Sequence, residues 1–158
     1  MKNLHKLLTL IFLSLISCDK DDSPTKVIDL KADITYEMVS QSSATSGTIK
    51  IIAHVKNVGN SSFTSSANQQ VVNLVVKTPG AADFIVEHLD FTSVPKDEEL
   101  TFNITRQWNT ADEFPQSYEL RIVYDPDLFI DGSTDNDDTN QSNDIFLLSG
   151  TTINTLFN

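Results

Sequence analysis

Cysteine is almost absent from this chain of 158 residues: Cys18 stands alone, so no disulfide can form within it and the fold must rest on an apolar core. Basic residues are scarce as well. Eleven Lys and Arg face 22 Asp and Glu, an excess that excludes the clustered cationic surface needed for nucleic acid and argues against charge-driven adhesion to anionic lipid. Long apolar runs are also missing. Leu7 to Ile16 holds about ten residues, where a membrane-spanning helix needs about 20, and Asp19, Lys20, Asp21 and Asp22 follow almost at once. Catalytic spacings are equally thin: there is no Gly-x-Ser-x-Gly elbow and no metal-ligand histidine spacing, and His54 and His88 fall in separate strand-like segments. Glu98-Glu99 and Asp112-Glu113 are carboxylate pairs of the kind glycoside hydrolysis uses, but acidic pairs in loops ordinarily face solvent, so the expectation is a protein that is not an enzyme.

The N-terminus has the three parts of a secretory signal: basic Lys2 and Lys6, the apolar run to Ile16, and small Ser17 before a cut. The tetrad Leu15-Ile16-Ser17-Cys18 resembles the lipobox of bacterial lipoproteins. That resemblance implies cleavage before Cys18, a diacylglyceryl thioether on its sulfur and an acyl chain such as palmitate on its amino group. Residues 1–17 are then the signal peptide and 18–26 a lipidated tether. Each acyl chain contributes on the order of 10 kcal/mol of membrane binding, and two or more hold a protein firmly. The competing readings are a free thiol after ordinary secretion and a retained core helix. Lys20-Asp21-Asp22 is similar to the export signal that carries lipoproteins of one group of Gram-negative bacteria to the cell surface. It sets the expected location as the outer face of the outer membrane, with a periplasm-facing lipoprotein as the alternative. Asp19 runs against this, since an aspartate directly after the cysteine retains lipoproteins at the inner membrane in some other Gram-negative bacteria. Cleavage removes Lys2 and Lys6 and no acid, leaving 141 residues with nine basic against 22 acidic side chains, a formal charge of −13. That length suits one domain with one core.

From Val27 the chain is a series of short runs rich in Val, Ile, Phe, Tyr and Thr, separated by turn-forming residues. The spacing predicts strands over 27–39, 48–58, 70–78, 84–91, 99–108, 117–124 and 144–148. Seven such strands predict an all-β, antiparallel, immunoglobulin-like sandwich over 27–149. Ile49, Ile51, Ala53 and Val55 alternate with Lys50, His54 and Lys56, with Ile52 the one apolar residue on the polar side. Leu100, Phe102 and Ile104 alternate with Thr101, Asn103 and Thr105, and Tyr118, Leu120, Ile122 and Tyr124 share a third face. Tyr118 follows a loop containing Pro115 and is either a tyrosine corner or an ordinary core residue. Val71-Val72 and Val75-Val76 break the alternation, which predicts a strand covered on both sides.

Gly47-Thr48-Ile49-Lys50-Ile51 leading to Val55-Lys56-Asn57-Val58-Gly59-Asn60, then Tyr118-Glu119-Leu120-Arg121 to Tyr124-Asp125-Pro126, then Asn140 to Asn143, resembles CARDB, the cell adhesion related domain found in bacteria. The resemblance covers about residues 31–148 and implies an extracellular immunoglobulin-like sandwich serving adhesion or scaffolding. It departs at the last turn, where the usual Glu-x-Asn-Asn is stretched into Asp135 to Asn143. In Asn57-Val58-Gly59-Asn60, glycine accepts positive φ and asparagine bonds its own backbone, so the motif is read as a structural turn.

Two groups remain as candidate sites. Asp125, Asp127, Asp131, Asp135, Asp137 and Asp138 crowd a loop of the kind that supplies oxygen ligands to Ca²⁺. The spacing does not match an EF-hand, for Phe129 and Ile130 interrupt it and Ser142 stands where a bidentate Glu belongs; the alternative is a solvated hairpin loop. Trp108 and Phe114 read either as an aromatic platform for a carbohydrate or as a plug for the open end of the sandwich. Residues 150–158 carry Ile153, Leu156 and Phe157 among polar neighbours, as an added edge strand or a tail for a partner would. The expected function is a non-catalytic, surface-anchored lipoprotein that binds an envelope protein as an adhesion or scaffold module, with a carbohydrate-binding accessory or calcium-dependent module as alternatives.

Overall fold

The computed structural model describes residues 24–158, so Cys18, Lys20, Asp21 and Asp22 lie outside the described residues. Two antiparallel sheets face each other. One is ordered β1-β2-β7, built from β1 (Leu30–Gln41), β2 (Ser46–Asn57) and β7 (Glu99–Asn109). The other is ordered β5-β4-β8-β9, from β4 (Gln70–Lys77), β5 (Phe84–Asp90), β8 (Ser117–Tyr124) and β9 (Ile145–Leu148). All seven expected strands are present. Two short strands were not expected: β3 (Phe63–Thr64) and β6 (Ser93–Val94) pair with each other, giving nine strands among the described residues. They are two residues each, too short to show a period of two.

The alternation decides which side chains meet between the sheets. Ile49, Ile51, Ala53 and Val55 of β2 are buried against Val72, Leu74 and Val76 of β4 and Tyr118, Leu120 and Ile122 of β8, while Lys50, Ile52, His54 and Lys56 lie half-buried on the outer face. β4 lies between β5 and β8 in its sheet; of its outer-face residues Val75 is buried but Val71, Asn73 and Lys77 are only half-buried, so the strand is covered on one face and not on both as expected. Where β4 meets β5 the register slips between Leu74 and Val75.

Asn57-Val58-Gly59-Asn60 is a structural turn in which asparagine bonds its own backbone as expected, while the glycine acts by a different means. Gly59 is not among the residues at positive φ. Its need for glycine is close approach: a Cβ there would stand 2.4 Å from the carbonyl oxygen of Val27. Asn57 is buried, donates from Nδ2 to the carbonyls of Ser61 and Val94 at 2.8 and 2.9 Å, and accepts from the Gly59 N–H at 3.1 Å. Asn60 accepts from Val27 N–H at 2.8 Å, which fastens the start of the domain.

The two ends of the sandwich are closed by different groups. Phe63 and Phe91, with ring centroids 5.6 Å apart, join Val94 at one end. At the other end the C-terminal residues form neither an edge strand nor a free tail. They make a short helix α1 (Gly150–Ile153) and a 3₁₀ turn (Asn154–Phe157), with Ser149 capping α1 through the Thr152 N–H and Ile153 fully buried. No helix among the described residues is long and apolar enough to cross a membrane.

Candidate functional site

The acidic segment after β8 does not behave as a single cluster. Asp125 and Pro126 open a 3₁₀ turn over Pro126–Ile130, in which the Asp125 carboxylate accepts the Asp127 N–H at 3.0 Å and Leu128 points into the core. Asp125 is thereby a cap, and Asp127 is exposed. Asp131, Ser133 and Asp135 do come together. With Thr64, Ser65, Ser66, Gln69 and Asn136 they line a polar cavity of about 270 Å³ between this loop and the β3–β4 connection. Asp131 accepts the Ser133 N–H at 2.7 Å and Asn136 Nδ2 at 2.8 Å, and these bonds hold its carboxyl below the usual carboxylate range. Asp135 pairs with Lys26, and its carbonyl accepts the Thr64 N–H at 2.8 Å. Asn136 is buried with an Oδ1 that has no protein partner. Asp137 is half-buried and lies outside this lining. Among the described residues no group of three or more Asp, Glu, His or Cys converges as metal ligands would, so the six aspartates of the sequence expectation are divided among separate tasks.

Asp138 departs furthest from a solvated loop. It is buried, and its carboxylate accepts the Tyr124 hydroxyl at 2.8 Å, the Asn140 N–H at 2.9 Å and the Leu30 N–H at 3.3 Å. Around it the loop is stitched to the first strand. Thr139 donates to the Ile28 carbonyl through both N–H and hydroxyl, at 2.9 and 2.6 Å, and Asn143 Nδ2 donates to Asp29 at 2.9 Å. The stretched turn is therefore a seam closing the end of the domain, ordered by hydrogen bonds from Asp138 to Asn143.

Asp144, which the sequence placed at the start of a strand, is the second buried carboxyl of this seam. It lies 3.5 Å from the Tyr124 hydroxyl, so Tyr124 bridges two acids. Burial and the neighbouring Asp138 charge push the Asp144 carboxyl up to about 8, because two carboxylates in one dry site do not both ionise. Burial, with these two acids, also drives the Tyr124 hydroxyl well above its ordinary range. The signal for this pair was present but weak: Tyr124 continues the inward stripe of Tyr118, Leu120 and Ile122, so whatever polar group meets its hydroxyl must itself be buried.

The two aromatic candidates separate. Trp108 is only 7 % exposed; its ring lies 6.4 Å from Tyr118 and its Nε1 donates to Asn154 Oδ1 at 2.8 Å. It fills the end of the sandwich under the C-terminal turn and offers no face to a sugar, while Phe114 is 63 % exposed by itself. Tyr118 is fully buried and its hydroxyl makes no hydrogen bond to upstream backbone, so it is a core residue and makes no tyrosine corner. Burial raises its pKa, with Arg106 opposing.

The outer face of the β5-β4-β8-β9 sheet was not foreseen as a site. Register places Ile85, Val75, Glu119 and Leu147 in one row across the four strands, His88, Asn73, Arg121 and Ile145 in the next, and Asp90, Val71 and Val123 in a third. Ile85, Val123, Ile145 and Leu147 are exposed, yet in their midst Glu119 is buried beneath Lys77 and Arg121, both of which also pair with Asp83. The row pattern was hidden because pairing partners are far apart in sequence.

No family model and no curated protein matches the chain. Among solved structures it is similar to Northeast Structural Genomics Consortium target SoR45, at 10% identity and a TM-score of 0.36, over 77% of this chain and 81% of that one. It is also similar to Spo0M, a sporulation control protein of Bacillus subtilis, at 10% identity and a TM-score of 0.31. That match covers 60% of this chain and spans 44% of the other. Such likenesses assign neither a fold type nor a function to the chain.

Proposed function

We propose that this protein is a non-catalytic lipoprotein of the bacterial envelope, anchored through acylated Cys18, directed to the cell surface by Lys20-Asp21-Asp22, and presenting an immunoglobulin-like, CARDB-type sandwich that binds another protein. The three-plus-four arrangement of strands in the two larger sheets supports the immunoglobulin-like type. One observation carries the binding role: the outer face of the β5-β4-β8-β9 sheet. Exposed Ile85, Val123, Ile145 and Leu147 frame an ion cluster of Lys77, Asp83, Glu119 and Arg121. Exposed apolar side chains grouped on one face mark an interaction surface. Crosslinking on intact cells tests the reading. A partner is captured by the native chain and lost in Leu147→Asp, whose side chain points to solvent; equal capture by both removes this face from the proposal. Protease shaving of the same cells reads the side of the membrane on which the domain stands.

The polar cavity favours a second reading, a calcium-responsive module. Asp131, Ser133 and Asp135 line one wall and the Asn136 Oδ1 is left without a partner, a set of hard oxygens suited to Ca²⁺. Lys26 competes there, since its ammonium already pairs with Asp135.

A further inference from the structure

We propose that the protein self-associates through the free edge of β7, two copies joining their β1-β2-β7 sheets into one six-stranded sheet. Among the described residues strand β7 pairs on one side only, with β2, over eleven residues and without a register shift. Asn57 N–H donates to Glu98 O, and Thr110 N–H to Thr45 O, so the even-numbered residues between them face β2. The N–H and C=O groups of Thr101, Asn103 and Thr105 therefore point to the open side, in a row ready to accept another strand.

The other sheet edges of the domain are blunted. β1 slips register between Met38 and Ser40 and carries Lys31, Asp33 and Glu37; β5 is opposed by a register shift and carries Glu87, His88 and Asp90; β9 has four residues. From Leu100 to Thr105, β7 has no charge, no proline and no bulge. Its inward residues Leu100, Phe102 and Ile104 are only half-buried, whereas Ile49, Ile51, Ala53 and Val55 on the same face of β2 are buried completely. An added strand would finish covering them.

The charge distribution selects a second copy as the occupant. Across the chain acids outnumber bases two to one, but the β1-β2-β7 strands hold Lys31, Lys50, Lys56 and Arg106 against Asp33, Glu37 and Glu99, a surplus of one positive charge. This sheet is where two copies of an acidic protein meet with little repulsion, and the aspartate-rich seam lies against the start of β1, at the edge of the sheet away from β7. An antiparallel pairing about a two-fold axis at Asn103 is self-complementary. It sets Thr101 opposite Thr105, Phe102 opposite Ile104 and Glu99 opposite Gln107 of the second copy, with no like charges facing.

Sedimentation of the full chain in detergent micelles tests this, over concentrations up to about 200 µM. The native chain is expected to form a dimer that dissociates on dilution. Asn103→Lys, which brings two lysines together at the axis, weakens it at least about fivefold, whereas Val39→Lys on the β1 edge leaves it unchanged. Hydrogen exchange supplies a readout that survives a poorly folded variant: in the native chain the Thr101, Asn103 and Thr105 amides become protected as concentration rises. A monomer throughout, a dimer equally strong in Asn103→Lys, or concentration-independent exchange at these amides overturns the proposal. Capture of the envelope partner is read separately with Leu147→Asp, which leaves self-association intact.

Discussion

Asp144 makes stability depend on pH in a direction opposite to that of an ordinary carboxylate. Its folded-state pKa is raised to about 8 from 3.8, so between these values the folded protein holds a proton that the unfolded chain has released. The stabilisation linked to that proton is fully present below the unfolded pKa and is lost as pH rises through about 8. At about 1.4 kcal/mol per unit, an unscreened site would lose roughly 4 kcal/mol between pH 5 and 8. Residual hydration and coupling to Asp138 reduce this, and about 2 kcal/mol is the working figure. For a domain of this size that is a fall in Tm of roughly 6–10 °C. The window is informative because ordinary carboxylates have finished titrating below it. Asp144→Asn supplies a neutral side chain of the same shape at every pH. The expected result is a native chain whose melting temperature falls from pH 5 to 9, a variant whose melting temperature barely changes, and a variant more stable than the native chain at pH 9. A native profile flat across this range, or a variant that keeps the slope, would refute the assignment of the raised pKa to Asp144.

Other consequences are as direct. Trp108→Ala removes a large buried ring and should cost about 3–5 kcal/mol in denaturant unfolding, while Trp108→Phe, losing chiefly the bond to Asn154, should cost about 1–2. Gly59→Ala drives a Cβ into the Val27 carbonyl and should cost about 1–3 kcal/mol, seen as a lower unfolding midpoint at unchanged slope. Millimolar calcium should raise the melting temperature relative to chelator if the polar cavity holds the ion, and Asp131→Asn should abolish the rise; no shift would end the calcium reading. Cys18→Ser should stop labelled palmitate from entering the protein and release it from the membrane fraction, and labelling that persists would sink the lipid anchor.

Strand positions were legible because burial between two sheets demands a period of two, and β2 shows it from Ile49 to Val55 with Ile52 the one exception. Trp108 was legible only as a pair of alternatives, since a strand-end aromatic looks the same whether solvent or a returning chain covers it. The C-terminal turn decided that, and its own sequence, Ile153 with Leu156 and Phe157 among polar residues, suits an edge strand as readily as a helical cap. The aspartates show the same division. Their spacing pointed to one ligand loop, but the backbone partners that claim them, Leu30 for Asp138, Ser133 for Asp131 and Asp127 for Asp125, are set by how the loop crosses the chain's first strand and by its local turns.

From the sequence alone come the positions of seven strands and the apolar faces of three, the acidic charge, the lack of a disulfide within the chain and the turn at Asn57 to Asn60, all consequences of short-range chemistry. Tertiary structure decided the rest. Pairing brought Ile85, Val123, Ile145 and Leu147 onto one exposed face, left one edge of β7 unpaired among the described residues, and forced Asp138 and Asp144 into the same dry seam. Each depends on contacts between residues distant in the chain, where local propensity carries no information about which polar group is left to face which.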